Sequence, residues 1–178
     1  MLKPAATLAA LLLAVVTAPA VTAQVPTHNS AAFTKAYADV VKTFGSQEKF
    51  QIAYEEARAE QARVEGALQL SLNLEARFRA NNAIPSADTY LKVANALRTT
   101  VDNLRETFTR FDALDSPLDE ALGRAAYDRV TAEIAPVLQR PMTEQFEYSK
   151  THPLTNEPLK SVQTAAGTLV AVAHKKPG

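Results

Sequence analysis

The sequence predicts an all-α protein: an antiparallel bundle of four to five helices, one of them about 34 residues long. Four segments repeat their apolar residues at helical spacing, and residues 47–80 run without a proline. The composition agrees, because 47% of residues are apolar and only five are glycine, a balance that suits neither a disordered chain nor a turn-rich sandwich.

Ser30 is placed to cap a first helix whose residues Phe33, Tyr37, Val40, Val41 and Phe44 share one face. Gly45 stops it, and Ser46 with Glu48 restarts a helix at once. The second helix extends from about Gln47 to Ala80 and closes on Asn81-Asn82, giving a rod of about 50 Å. Its first half has one apolar face, made by Phe50, Tyr54, Ala57, Val64 and Leu68, while its second half adds Leu70 and Leu74 on another side. Neighbours are therefore expected on two flanks. Glu55, Glu56 and Glu60, with Arg58 and Arg63, read as a solvated face.

Pro85 and Ser86 mark the start of a third helix with an unbroken seam of Tyr90, Ala94, Leu97, Val101, Leu104, Phe108 and Phe111. Leu104→Ala is expected to cost about 2–5 kcal/mol and Arg105→Ala, off the seam, under about 0.5 kcal/mol. Arg98 with Asp102, and Glu106 with Arg110, are spaced to pair on the wet side. A fourth helix is expected to open with Ser116 as cap and Pro117 in its first turn, and to bury Leu118, Leu122, Ala125, Val130, Ile134 and Leu138. Pro136 should kink or split it.

Residues 31–146 make up this bundle, and 147–160 read as loop because they hold His152, two prolines, two Thr and an Asn. Beyond them, residues 159–174 admit a strand or a helix. A helix is preferred, since Leu159, Val162, Ala166, Leu169 and Ala173 keep helical spacing and Lys175-Lys176 complements a helix C-terminus; Gly167 counts against it. The segment should dock on the bundle as its last and least stable element, covering Leu70 and Leu74. Charge favours this, since residues 31–146 carry 14 bases and 17 acids and residues 147–178 carry four and two.

Residues 1–23 have the form of a secretory signal peptide: Lys3, an apolar run from Leu8 to Val16, then Val21-Thr22-Ala23 before a cleavage site. The run is shorter than the roughly 20 residues that span a bilayer. The expectation is a periplasmic or secreted product cleaved near Ala23, with a short leader over 24–30 and no transmembrane anchor. No cysteine is present, so packing alone must hold the fold.

Nineteen basic and nineteen acidic residues cancel, leaving no broad positive field for nucleic acid. No Glu-x-x-His supports a dinuclear metal site, and no Gly-x-Ser-x-Gly, His-Glu-x-x-His or glycine-rich phosphate loop occurs. Haem would need axial ligands from Met142, His28, His152 and His174, which fall in leader, loop or tail. His152 with Glu147 or Glu157 could hold at most a lone surface metal. No cofactor and no metal is therefore expected, and an enzyme would have to draw its acid or base from Glu75, Glu144 or His152.

The remaining candidate is a ligand or partner groove at Leu70, Leu74, Glu75, Phe78 and Arg79, where a two-sided helix brings apolar residues and an ion pair together. Glu75 and Arg79 read as an exposed pair one turn apart. The leading expectation is a non-enzymatic interaction protein of chaperone or envelope-adaptor type with an unknown protein partner; the alternative is a carrier of an apolar small molecule or lipid.

Overall fold

The computed structural model describes residues 30–152, 154 and 157–175, with backbone alone at 157 and 158; the signal-peptide and leader segments lie outside it. Six helices follow in order: α1 (Ala31–Phe44), α2 (Gln47–Ala80), α3 (Ile84–Asp112), α4 (Glu120–Val137), α5 (Met142–Thr151) and α6 (Glu157–Ala173). No strand occurs among the described residues, and no described helix is long and apolar enough to cross a membrane.

The helix ends follow local chemistry. Ser30 Oγ accepts the Phe33 N–H at 3.1 Å and Ser46 Oγ accepts the Lys49 N–H at 3.1 Å, capping α1 and α2. Between them Gly45 takes φ 93°, a left-handed conformation that costs glycine least. Asn82, at φ 58°, reverses the chain into α3, so α3 runs antiparallel to α2. α4 then runs parallel to α2, with Gly123 against Tyr54 and Ile134 against Gly66.

α2 is the central element, packed against all five other helices. The larger core joins it to α1, α3 and α6 around Phe50, Tyr54, Leu104, Phe108, Val162 and Leu169, all fully buried. Tyr54 lies edge-on to Phe108 with ring centroids 6.1 Å apart. The second core is smaller: Ala59 and Ala62 of α2 against Ala126, Val130 and Ile134 of α4.

Expectations for α4 and the segment after it require correction. The cap of α4 is Asp119, whose carboxylate accepts the N–H groups of Ala121 at 3.1 Å and Leu122 at 3.3 Å; Ser116 instead accepts Leu118 N–H at 3.1 Å, so Pro117 lies in the preceding turn. Its buried face is Gly123, Ala126, Val130, Ile134 and Val137, leaving Leu122 47% exposed and Ala125 exposed. Small residues allow close approach to α2, and that contact rotates the helix away from the larger Leu122. Pro136 does not split α4, because it sits one residue from the end, where little helix remains to disrupt. Lastly, residues 147–151 are helical and belong to α5, which begins after Pro141.

Residues 157–173 do form a helix. It is built into the main core, with Leu159, Val162 and Leu169 between 0 and 3% exposed. It does not cover Leu70 or Leu74, because it packs on α1, α3 and the Ala57–Val64–Leu68 side of α2.

Candidate functional site

Depressions flank α2 among the described residues, and one is an enclosed, apolar groove of about 290 Å³ whose floor is Gly66, Ala67, Leu70 and Leu74. Tyr90, Val93 and Leu97 of α3 form one wall, and Ile134, Val137 and Leu138 of α4 form the other. Tyr148 and His152 of α5, with Leu154 beyond it, close one part.

Local chemistry holds these walls in place. The last carbonyls of α4 have no partners in their own helix, and side chains from two other helices satisfy them. Asn73 Nδ2 donates to Leu138 O at 3.2 Å, and Gln145 Nε2 donates to Leu138 O at 3.1 Å and Arg140 O at 2.8 Å. Gln145 is fully buried, so α5 is pinned across the end of α4. Tyr148 is stacked on His152 with centroids 4.1 Å apart.

Of the residues expected to make the groove, Leu70 and Leu74 line it and the other three do not. Phe78 turns to Tyr90 and stacks on it at 5.5 Å. Glu75 receives Arg79 Nε at 2.6 Å, and Arg79 reaches on to Asp88 at 3.2 Å, an exposed network that fastens the α2–α3 turn. Those two carboxylates raise the pKa of the Arg79 guanidinium further. Glu144, another candidate acid, is exposed and lies 3.9 Å from Arg140. No group of three His, Asp or Glu side chains placed to hold a metal occurs among the described residues.

A second feature went unread in the sequence. Arg58, Glu60, Gln61 and Glu65 are buried at 2–9% exposure, although Arg58 and Glu60 were expected on a solvated face. On one side, Glu65 receives Arg105 at 2.6 Å, the Tyr127 hydroxyl at 2.9 Å and Gln61 Nε2 at 3.0 Å. Burial alone would push its carboxyl up, but these three donors outweigh it and hold the group below its ordinary range. The Tyr127 hydroxyl moves the other way, pushed up by burial and by donating to Glu65. Arg105 is thus the partner of a buried acid and no idle surface residue. Glu106 and Arg110 do close a surface pair at 3.0 Å, whereas Arg98 and Asp102 form none.

Nearer the start of α4, Tyr54 Oη donates to Asp112 at 2.7 Å, and Arg58 lies 3.5 Å from the same carboxylate while stacking over Phe108 at 4.9 Å. Burial and that bond raise the Tyr54 pKa well above its usual range. Glu120 is close by with Oε1 buried and unpartnered. Burial and the negative charge of Asp112 push its carboxyl up to about 7. Gln51 fastens the turn before α4 to α2, donating to Asp119 O at 3.0 Å and accepting Asp119 N–H at 2.8 Å.

Two other depressions are wetter. An open cleft of about 690 Å³ lies between α2 and α4, where Ile52 and Leu122 are half exposed among Glu55, Glu56, Glu60 and Arg129. A small hollow of about 150 Å³ sits above Glu65 and Arg105. The signal for this close packing was Gly66, since glycine inside a helix marks close approach. The chain matches no protein-family model, no curated protein and no solved structure.

Proposed function

We propose that this chain is an exported, non-enzymatic binding protein that carries an apolar small molecule or lipid fragment in the groove between α2, α3, α4 and α5. The observation behind this reading is the groove itself: about 290 Å³, walled by leucine, isoleucine, valine and tyrosine side chains, and fixed in shape by the buried Gln145. Its size is at the small end of the range that ordinary ligand sites occupy. Export rests on the form of residues 1–23. Mass spectrometry of protein purified under native conditions tests the reading: a bound apolar molecule, lost when Leu70→Trp fills the floor, is the expected result. A ligand-free protein that also fails to take up an environment-sensitive apolar dye would count against it.

The second reading, a chaperone or envelope adaptor acting through protein contacts, draws on a different place. Ile52 at 51% and Leu122 at 47% are large exposed apolar side chains within one cleft, the arrangement of a protein-docking surface. Crosslinking in the native envelope that depends on Ile52 and Leu122 would favour it; crosslinking unchanged by Ile52→Glu with Leu122→Glu would remove its support.

A further inference from the structure

We infer that the groove along Leu70 and Leu74 takes an unbranched aliphatic carboxylate of about ten carbons, its chain on the groove floor and its head at Arg63 and Tyr148. This deepens the apolar-ligand reading and rests on it.

The first argument is charge. No aspartate or glutamate lines the groove. Most of its polar side chains have already spent their hydrogens: Ser71 Oγ donates to Ala67 O at 2.8 Å and Ser149 Oγ to Phe146 O at 2.7 Å. His152 Nδ1 lies 3.1 Å from Tyr148 O, which occupies that nitrogen. Arg63 differs. Its Nη1 is given to Glu60 at 3.0 Å, but a guanidinium carries five N–H groups, and Nε and Nη2 remain. The Tyr148 hydroxyl is within electrostatic reach of Arg63 on one side and of Glu133, outside the groove lining, on the other. The stack on His152 holds that ring in place. The N–H groups Arg63 keeps beyond its pair with Glu60, and the Tyr148 hydroxyl, offer donors to a groove that no carboxylate lines, which suits an acceptor-rich carboxylate head and gives an ammonium no partner.

The second argument is shape. Arg63 and Leu74 stand at opposite ends of the α2 floor, about 16 Å apart along the axis at 1.5 Å per residue. Between them the wall is mostly apolar, with Leu70, Val93 and Ile134 facing a space of about 290 Å³ and the Ser71 hydroxyl turned to Ala67 O. At roughly 30 Å³ for a water-sized group, that space holds about ten heavy atoms. Available donors at the Arg63 end and a mostly apolar wall beyond it describe a fatty-acid-like chain. Arg63 is 39% exposed, so the head sits at the mouth and its contribution to affinity is moderate.

Decanoate, 1-decanol and decyltrimethylammonium, each titrated at pH 8 into the full chain by displacement of an apolar fluorescent dye, test this. Decanoate should bind about tenfold more tightly than decanol, and decyltrimethylammonium the least. Arg63→Gln should bring decanoate affinity down to that of decanol, with the helical circular dichroism and melting temperature checking the fold; Tyr148→Phe should reduce the preference by a few-fold. Equal affinity for decanoate and decanol in the unmodified protein would overturn the carboxylate assignment while leaving the apolar groove intact. Failure of all three to displace the dye would overturn both.

Discussion

Where α2 meets α3 the contact is made by large side chains at heptad spacing, and where it meets α4 glycines and alanines of each helix admit the other's larger side chains. On the α3 side Val101, Leu104, Phe108 and Phe111 are at most 1% exposed and the interface is dry except at its edges. On the α4 side the backbones come so close that a Cβ at Gly123 would run into the Tyr54 ring, and one at Gly66 would lie 2.7 Å from Ile134 Cδ1. Small residues bury little area each, so this second interface is supplemented by polar bonds, and it is flanked by the open spaces. Closeness at a few glycines and alanines, and room elsewhere, is how the same helix comes to be core on one side and binding surface on the other.

Changes on the two sides should therefore differ in kind. The largest effect is expected from truncation after Ser149, which removes α6 from the large-residue side and leaves Phe50, Val64 and Leu68 uncovered. A sharply lower melting temperature and increased binding of a hydrophobic dye are expected; an unchanged melt would mean that α6 is an appendage. Next, Leu104→Ala should cost about 2–5 kcal/mol by opening a cavity in the dry core. On the other side, adding volume is what hurts. Gly123→Ala should cost about 1–3 kcal/mol in spite of alanine's better helix propensity, because the fully buried Tyr54 ring cannot step aside. Denaturant unfolding would measure both, and a stabilising Gly123→Ala would show that α4 packs more loosely than described.

Arg105→Ala is expected to cost about 1 kcal/mol, above the figure its position off the seam suggested, because it leaves the buried Glu65 with only Tyr127 and Gln61. Arg110→Ala, whose pair with Glu106 is exposed on both partners, should change nothing measurable. The smallest effect is a pH dependence. The Glu120 carboxyl is pushed from its ordinary 4.5 up to about 7 in the fold, where Asp112 and Asp115 oppose its charge and Arg58 and Arg124 favour it. A raised folded value means that the native state holds the proton more tightly than the unfolded chain. Its contribution is therefore complete below about 4.5 and lost as pH rises through about 7. Glu65, held low, acts in the opposite sense on the acid side of 4.5, so the Glu120 effect is best read between pH 5.5 and 8. The protein should melt slightly lower at pH 8 than at 5.5, and Glu120→Gln should flatten that difference; a slope that persists in the variant would assign it elsewhere.

The contrast also explains what could be read in advance. The seam of α3 and the ends of α1 and α2 are written in patterns of period and capping that survive without tertiary context. The polar stripe Arg58, Gln61, Glu65 is not, because its burial depends on a close approach that Gly66, Gly123 and three alanines make possible from two separate helices. Leu122 misled for the same reason: the larger residue looks like the core position, yet the helix turns its smaller neighbour inward. In the groove, Leu70 and Leu74 were visible as apolar residues off the main face, while Glu75 and Arg79 were drawn in by proximity along the helix and belong to a surface network. Tyr148 and Gln145 escaped notice because Pro141 and the loop-like composition after it concealed a ten-residue helix.

A methyl-resolved NMR titration with decanoate tests most directly that α2 divides core from binding surface. Shifts are expected at Leu70, Leu74, Val93, Ile134 and Val137, with Val101, Leu104 and Leu169 unmoved. Shifts spread evenly over both sets, or confined to the second, would contradict it.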